Sequence, residues 1–151
     1  MSGLFTAAFL RQIGWECDVY ERSGVELVGR GAGITTHPEL LAALEASGAG
    51  TRDLGIEVPK RIALDRNGRV TDERPLRQIL TSWDRLQRLL RETIDPAHYH
   101  LGWAFERIEQ DGHGVRVHFN GGRVENADIL VGGDGIRSSV RGEVAPELQP
   151  N

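Results

Sequence analysis

Residues 129–141, ILVGGDGIRSSVR, restrict the fold more than any other stretch of the chain. A short apolar run breaks into a glycine-rich turn with an acid at its centre, and a serine- and arginine-bearing helix start follows. The pattern predicts a buried strand over 129–131, a tight turn, and a helix opening near Ser138. Gly132, Gly133 and Gly135 carry no side chain and tolerate positive φ, so the backbone there can approach a ligand closely. Asp134 lies between two of them, where a carboxylate reaches a polar ligand group. An ordinary strand-to-helix connection has the same composition, and these residues alone leave both readings open.

A second signal stands at the other end of the chain. Leu4, Phe5, Ala8, Phe9 and Ile13 recur at helical spacing, which predicts an amphipathic helix over 3–13 closed by Gly14. Cys17, Val19 and Tyr20 predict a short strand ending at Glu21-Arg22. In a dinucleotide-binding βαβ unit, an acid about 20 residues beyond the glycine turn ends the second strand and holds a ribose hydroxyl pair. Glu21 stands at about that distance from Gly3. Only Met1 and Ser2 precede Gly3, which takes the place of the third fingerprint glycine, the one that lets helix and strand pack closely. The expectation is a fragment, or a late start, that lacks the first strand and the two glycines that cradle pyrophosphate. A plain surface helix followed by a solvated Glu21 is the other reading of this segment.

Composition narrows the class. Glycine, at 19 of 151 residues, lies well above the usual share of about 7%, which favours many tight turns. The length is that of one domain with a sizeable core. A net charge of −4, with basic and acidic residues interspersed, gives no reason to expect a nucleic-acid partner. No run of about 18 apolar residues predicts a membrane span, and no charged-then-apolar leader opens the chain. Cys17, the single cysteine, is expected to be a small core residue in a buried strand, and a cytoplasmic location follows from cysteine usage.

Between the two ends, residues 23–37 read as a glycine-rich loop, and Pro38 opens a helix with Leu40, Leu41, Ala43 and Leu44 on its apolar face, ending near Gly48. Ile62 and Leu64 alternate with polar neighbours before Asn67-Gly68, a two-residue hairpin signal. A helix is predicted over 83–93, with Leu86, Leu89 and Leu90 inward and Arg85, Arg88, Arg91 and Glu92 outward. One strand is expected over 99–110, a turn at 111–114, and then a strand whose inward face is Val115, Val117 and Phe119. Gly121-Gly122 turns the chain toward 129–131. This order predicts an α/β fold: a Rossmann-like domain with a parallel sheet and a small antiparallel meander.

These residues, in this order, resemble the flavin-dependent aromatic hydroxylases, the class A monooxygenases of the p-hydroxybenzoate hydroxylase type, and among them the 2,6-dihydroxypyridine hydroxylase-like members. Gly3-Leu4 with Ala7 and Leu10 is similar to the end of the fingerprint helix, and Glu21-Arg22-Ser23 to the acidic strand end beside the adenosine ribose. Gly31-Ala32-Gly33-Ile34 and Pro38-Glu39-Leu40 resemble the loop and helix that follow. At Thr81-Ser82-Trp83-Asp84 many members place an arginine beside the flavin, whereas this chain has Trp83. Gly132-Gly133-Asp134-Gly135 with Ser138 and Arg141 resembles the family's second motif, with Gly133 in place of the usual alanine.

The resemblance implies a partial domain that binds flavin adenine dinucleotide (FAD), with the later GD motif and the substrate domain lying outside residues 1–151. It implies a whole enzyme in which NADH or NADPH reduces the flavin and one oxygen atom is added to a small aromatic or hydroxypyridine substrate. Glu21 would accept from the ribose hydroxyls and Arg22 would lie near the adenine. The backbone at Gly31, Gly33 and Ile34 would approach the cofactor, and Trp83 is the aromatic candidate beside flavin or substrate. Gly133, Asp134 and Gly135 would contact its polar chain, with Asp134 also holding neighbouring loops. No catalytic residue and no metal site are assigned. His98 and His100 share a strand face with no carboxylate expected nearby, and the arginine row on 83–93 reads as a solvated face. A homodimer is left open. So are two rivals: the cofactor domain of another flavin reductase or dehydrogenase, and a truncated non-enzymatic remnant.

Overall fold

In a computed structural model, residues 1–27, 29 and 31–148 are described. The loop expected over 23–37 therefore lies outside the described residues at Val28 and Arg30. The elements in chain order are α1 (Ser2–Gln12), β1 (Val19–Glu21), β2 (Gly33–Thr35), α2 (Pro38–Ala46), β3 (Ile56–Leu64), β4 (Val70–Ser82), α3 (Trp83–Glu92), β5 (Tyr99–Leu101), β6 (Phe105–Asp111), β7 (Gly114–Phe119), β8 (Arg123–Ala127) and α4 (Ser139–Val144). They form an α/β protein of two compact units: Met1–Leu27 with Ile94–Asn151, and Val28–Thr93.

In the first unit, α1 buries Leu4, Ala7 and Ala8, while Ile13 lies beyond the helix and is 73% exposed. The chain then enters β1, which pairs in parallel with β5 through Val19↔Tyr99, Tyr20↔His100 and Glu21↔Leu101. Cys17 precedes that strand and is half-buried, so the expected buried strand cysteine is corrected. The antiparallel sheet β6-β7-β8 carries the core of this unit. Val115, Val117 and Phe119 alternate inward as their period-two spacing requires, and Tyr20, Trp103, Phe105, Ile108 and Leu130 pack on them. Burying a side chain of that size contributes about 1.5–3 kcal/mol, so this cluster stabilises the unit more than the small α1 face does.

Two expectations fail here for identifiable reasons. The single strand over 99–110 is split into β5 and β6, which belong to different sheets. Gly102 takes a left-handed φ of 75°, its N–H donates to Ser23 O at 2.9 Å, and the Trp103 N–H donates to Glu21 O at 3.0 Å. The chain thus leaves the β1 ladder and turns. The strand expected at 129–131 makes no ladder, and Ile129 and Val131 are exposed. The free edge of β7 is taken instead by β8, directly after a reversal in which Gly121 and Gly122 are both left-handed. Arg123 fixes that reversal. Its guanidinium donates to Asn120 O, Asn120 Oδ1 and Gly102 O, and its charge lies 4.3 Å from the centre of the Trp103 ring.

The second unit is a three-stranded antiparallel sheet, β2-β4-β3, with α2 and α3. The stretch expected as loop over 23–37 contains a strand: Gly33 pairs with Ser82 and Ile34 with Thr81. Buried Thr36 locks its end, its Oγ1 accepting from the Ile79 N–H at 3.1 Å. The hairpin between β3 and β4 closes through 65–69 rather than through two residues. Asp65 Oδ1 accepts from the Asn67 and Arg69 amides, and Gly68 takes φ 78°. Of the expected α2 face, Leu44 is buried and the other three are half-buried. In α3, Leu86, Leu89 and Leu90 are buried as expected, but Arg85 and Arg91 are half-buried rather than outward. Ser82 caps α3, its Oγ accepting from the Arg85 amide at 3.1 Å.

Candidate functional site

The first unit brings its two sequence ends together. A Cβ placed on Gly133 would lie 2.9 Å from both Cα and N of Gly3, closer than real side chains come. The start of α1 and the 132–135 turn therefore touch backbone to backbone. Of that turn only Gly135 uses a left-handed φ, 84°; a Cβ on Gly132 would meet Val140 Cβ at 2.9 Å. Two of the three glycines serve close packing, and one serves conformation.

Asp134 closes the turn onto α4. Its carboxylate accepts from the Ser138 hydroxyl, from the Ser139 amide at 2.6 Å and from the Val140 amide at 3.3 Å. Burial pushes this acid up, but the Ser138, Val140 and Ser139 donors outweigh it and hold Asp134 below the ordinary carboxylate value. Of its two expected roles, holding the neighbouring chain is the one on display.

Glu21 ends β1 half-buried, and its Oε1 accepts from the Ser23 amide at 2.8 Å, which orients the carboxylate. Arg22 is exposed. Glu21, Gly3, Gly133, Asp134 and Gly135 all belong to the first unit; Gly31, Gly33, Ile34 and Trp83 all belong to the second.

In that second unit, Gly31 has φ 102°, and a Cβ on it would lie 2.6 Å from Trp83 Cβ. The Trp83 amide donates to Ala32 O at 3.2 Å. Gly33 and Ile34 are strand residues whose backbone ladders with β4, so of this group Gly31 is the one in a turn. Trp83 is half-buried.

Sequence reasoning missed one cluster. Asp18 Oδ1 accepts from His100 Nε2 at 2.8 Å and His98 Nδ1 at 3.2 Å, which corrects the expectation of histidines without a carboxylate. Burial raises Asp18, and the two imidazoles outweigh it and hold it low. Tyr20 stacks on His100 and is pushed up to about 12 by burial, with Asp18 and Glu125 adding to it. The chain separation of 82 residues between Asp18 and His100 left no local signal. Among the described residues no grouping of His, Cys, Asp and Glu could hold a metal ion.

No protein-family model matches the chain. A 2,6-dihydroxypyridine 3-monooxygenase of Paenarthrobacter nicotinovorans is 33% identical over 145 residues, 93% of this chain and 36% of that protein. The solved structure of 2,6-dihydroxypyridine-3-hydroxylase from Arthrobacter nicotinovorans superposes with a TM-score of 0.88 at 31% identity, over 99% of this chain and 38% of that one. The chain is homologous to FAD-dependent aromatic and hydroxypyridine monooxygenases. Its similarity extends to Klebsiella pneumoniae HpxO, solved with FAD and uric acid, with a TM-score of 0.78 at 26% identity over 92% of this chain and 38% of that one. The chain thus spans less than half the length of each of these relatives. Among its described residues no helix is long and apolar enough to cross a membrane.

Proposed function

We propose that this chain holds the adenosine end of FAD in a monooxygenase that adds one oxygen atom to a small aromatic or hydroxypyridine ring, drawing electrons from NADH or NADPH. The observation that carries this is found within the first unit: the Glu21 carboxylate ends the parallel strand β1, and the helix start at Gly3 packs on Gly133. A parallel strand ending in an acid beside a helix N-terminus fits a dinucleotide: the carboxylate accepts from two ribose hydroxyls, and the helix end favours negative charge. The Ser23 amide holds one of the Glu21 oxygens, which supports this reading by fixing the carboxylate before a ligand arrives.

The bound flavin supplies the redox chemistry, as cofactors of this class do. The chain's own residues bind and orient. Glu21 accepts hydrogen bonds, exposed Arg22 lies next to it for the adenine end, and the 132–135 turn supplies backbone amides. Gly31 and Trp83 form the second contact region of this reading. Gly133, Asp134 and Gly135 bear on the cofactor through the turn they shape.

Titration of the purified chain with FAD, followed by flavin fluorescence, tests the reading. Saturable binding weakened about tenfold or more by Glu21→Ala is expected, the scale of a lost hydrogen bond to a charged group. Binding equal in the two proteins would remove Glu21 from the site.

A further inference from the structure

The Gly29 amide donates to Asp84 Oδ1 at 3.1 Å, across 55 residues of sequence. The other oxygen of Asp84 accepts from Arg88 Nη2 at 3.2 Å, one turn along α3. The Asp84 side chain is 22% exposed, against 50% for Arg88, so the carboxylate lies in against the chain rather than out in water. Two further contacts join the same partners. Gly31 lies flush on Trp83 Cβ, and the Trp83 amide donates to Ala32 O. The first turn of α3 therefore holds the chain ahead of β2 at Gly29, Gly31 and Ala32.

The geometry points to Asp84 as a positioning residue that latches the Gly29 backbone onto α3, beside the Trp83 contacts to Gly31 and Ala32. The latch itself needs no ligand; that the latched segment meets flavin rests on the proposed function. A backbone held in one conformation before binding loses less freedom when a ligand arrives, so the latch raises affinity without touching the ligand.

A duller role competes. An acid in the first turn of a helix stabilises it through the macrodipole, and Asp84 with Arg88 makes an i,i+4 pair. Those effects depend on charge. The latch depends on where one oxygen is. Asp84→Asn keeps an acceptor at Oδ1 and removes the charge, whereas Asp84→Glu keeps the charge and displaces the acceptor by a methylene. The two roles therefore rank these variants in opposite orders.

The experiment is amide hydrogen exchange, read by mass spectrometry on peptides covering 29–33, together with FAD titration of the full chain and of Asp84→Asn, Asp84→Glu and Asp84→Ala. Exchange about tenfold faster in the Glu and Ala variants, with Asn close to the parent, is the expected result. Asn as fast as Ala, with Glu like the parent, would overturn the latch in favour of the charge. Equal exchange in all four proteins would overturn it outright. If Ala fails to fold, the order of Asn and Glu still decides. The flavin reading is read separately: the expected exchange order in a chain that takes up no FAD leaves the latch standing and removes its ligand.

Discussion

Gly133 and Gly31 are both glycines into which no side chain fits, yet they are closed by different things. At Gly133 the obstacle is backbone, the N and Cα of Gly3, and φ is ordinary. At Gly31 the obstacle is the Trp83 side chain, and φ is left-handed besides. The first is a packing constraint between two ends of the sequence, and the second is a conformational constraint with a side chain laid over it. A backbone neighbour yields only if an element shifts, and the same holds for Trp83 Cβ, which no rotamer change moves; what sets Gly31 apart is the φ constraint added to the clash.

Gly133→Ala tests the packing constraint directly and should have a large effect, a loss of about 1–3 kcal/mol of stability as an overpacked core does. Its mirror sharpens the contrast. A Cβ on Gly3 would meet Gly133 Cα at 3.8 Å, an ordinary contact, and alanine is the better helix former by up to about 1 kcal/mol. Gly3→Ala should therefore leave stability unchanged or raised. Chemical denaturation of the pair reads the asymmetry, and equal losses at both positions would mean that the contact is not what holds the turn.

Gly31→Ala should cost a similar amount: about 1–2 kcal/mol comes from the left-handed backbone, and the clash with Trp83 Cβ, which no rotamer change moves, adds to it. Adding Trp83→Gly removes the Cβ that blocks the site and leaves the φ part. Gly31→Ala should thus cost less in the Trp83→Gly background than in the parent, a difference measured as a coupling energy in a double-mutant cycle. Zero coupling would make Gly31 purely conformational and erase the difference from Gly135, whose φ of 84° meets no neighbour.

What could be read from the sequence divides along the same line. Helices α1, α2 and α3 were legible because period, Pro38 and the flanking glycines are local signals, and so was the inward alternation of Val115, Val117 and Phe119. The strand break at Gly102 was not, because a glycine inside an apolar run signals a turn only once β1 claims Tyr99–Leu101 as its partner. For the same reason 129–131 has strand composition and no ladder, while the polar Arg123–Ala127 forms β8: pairing is decided by which edge is free, not by composition. At the candidate site, Glu21 and the 132–135 turn were visible as motifs. That Gly133 packs on Gly3, or that Asp84 reaches Gly29, depends on contacts between distant residues and is written in no local pattern.

The smallest expected effect separates the two regions by pH. Asp134 ties the 132–135 turn to α4, and burial, which raises it, is outweighed by Ser138, Val140 and Ser139, so the folded acid titrates below its ordinary value of 3.8. A carboxyl lowered on folding stabilises the protein above its unfolded value, and that contribution is lost as pH falls through the folded one. The parent should lose stability more steeply than Asp134→Asn between about pH 5 and the acid limit, because the variant has no charge there to lose. Asp18, Glu39 and Glu109 are also held low, so the difference between parent and variant is the readout rather than either curve. Because Asp134 is exposed, solvent screening keeps the effect small. Parallel curves would mean that its three donors hold the turn no better with the charge than without it.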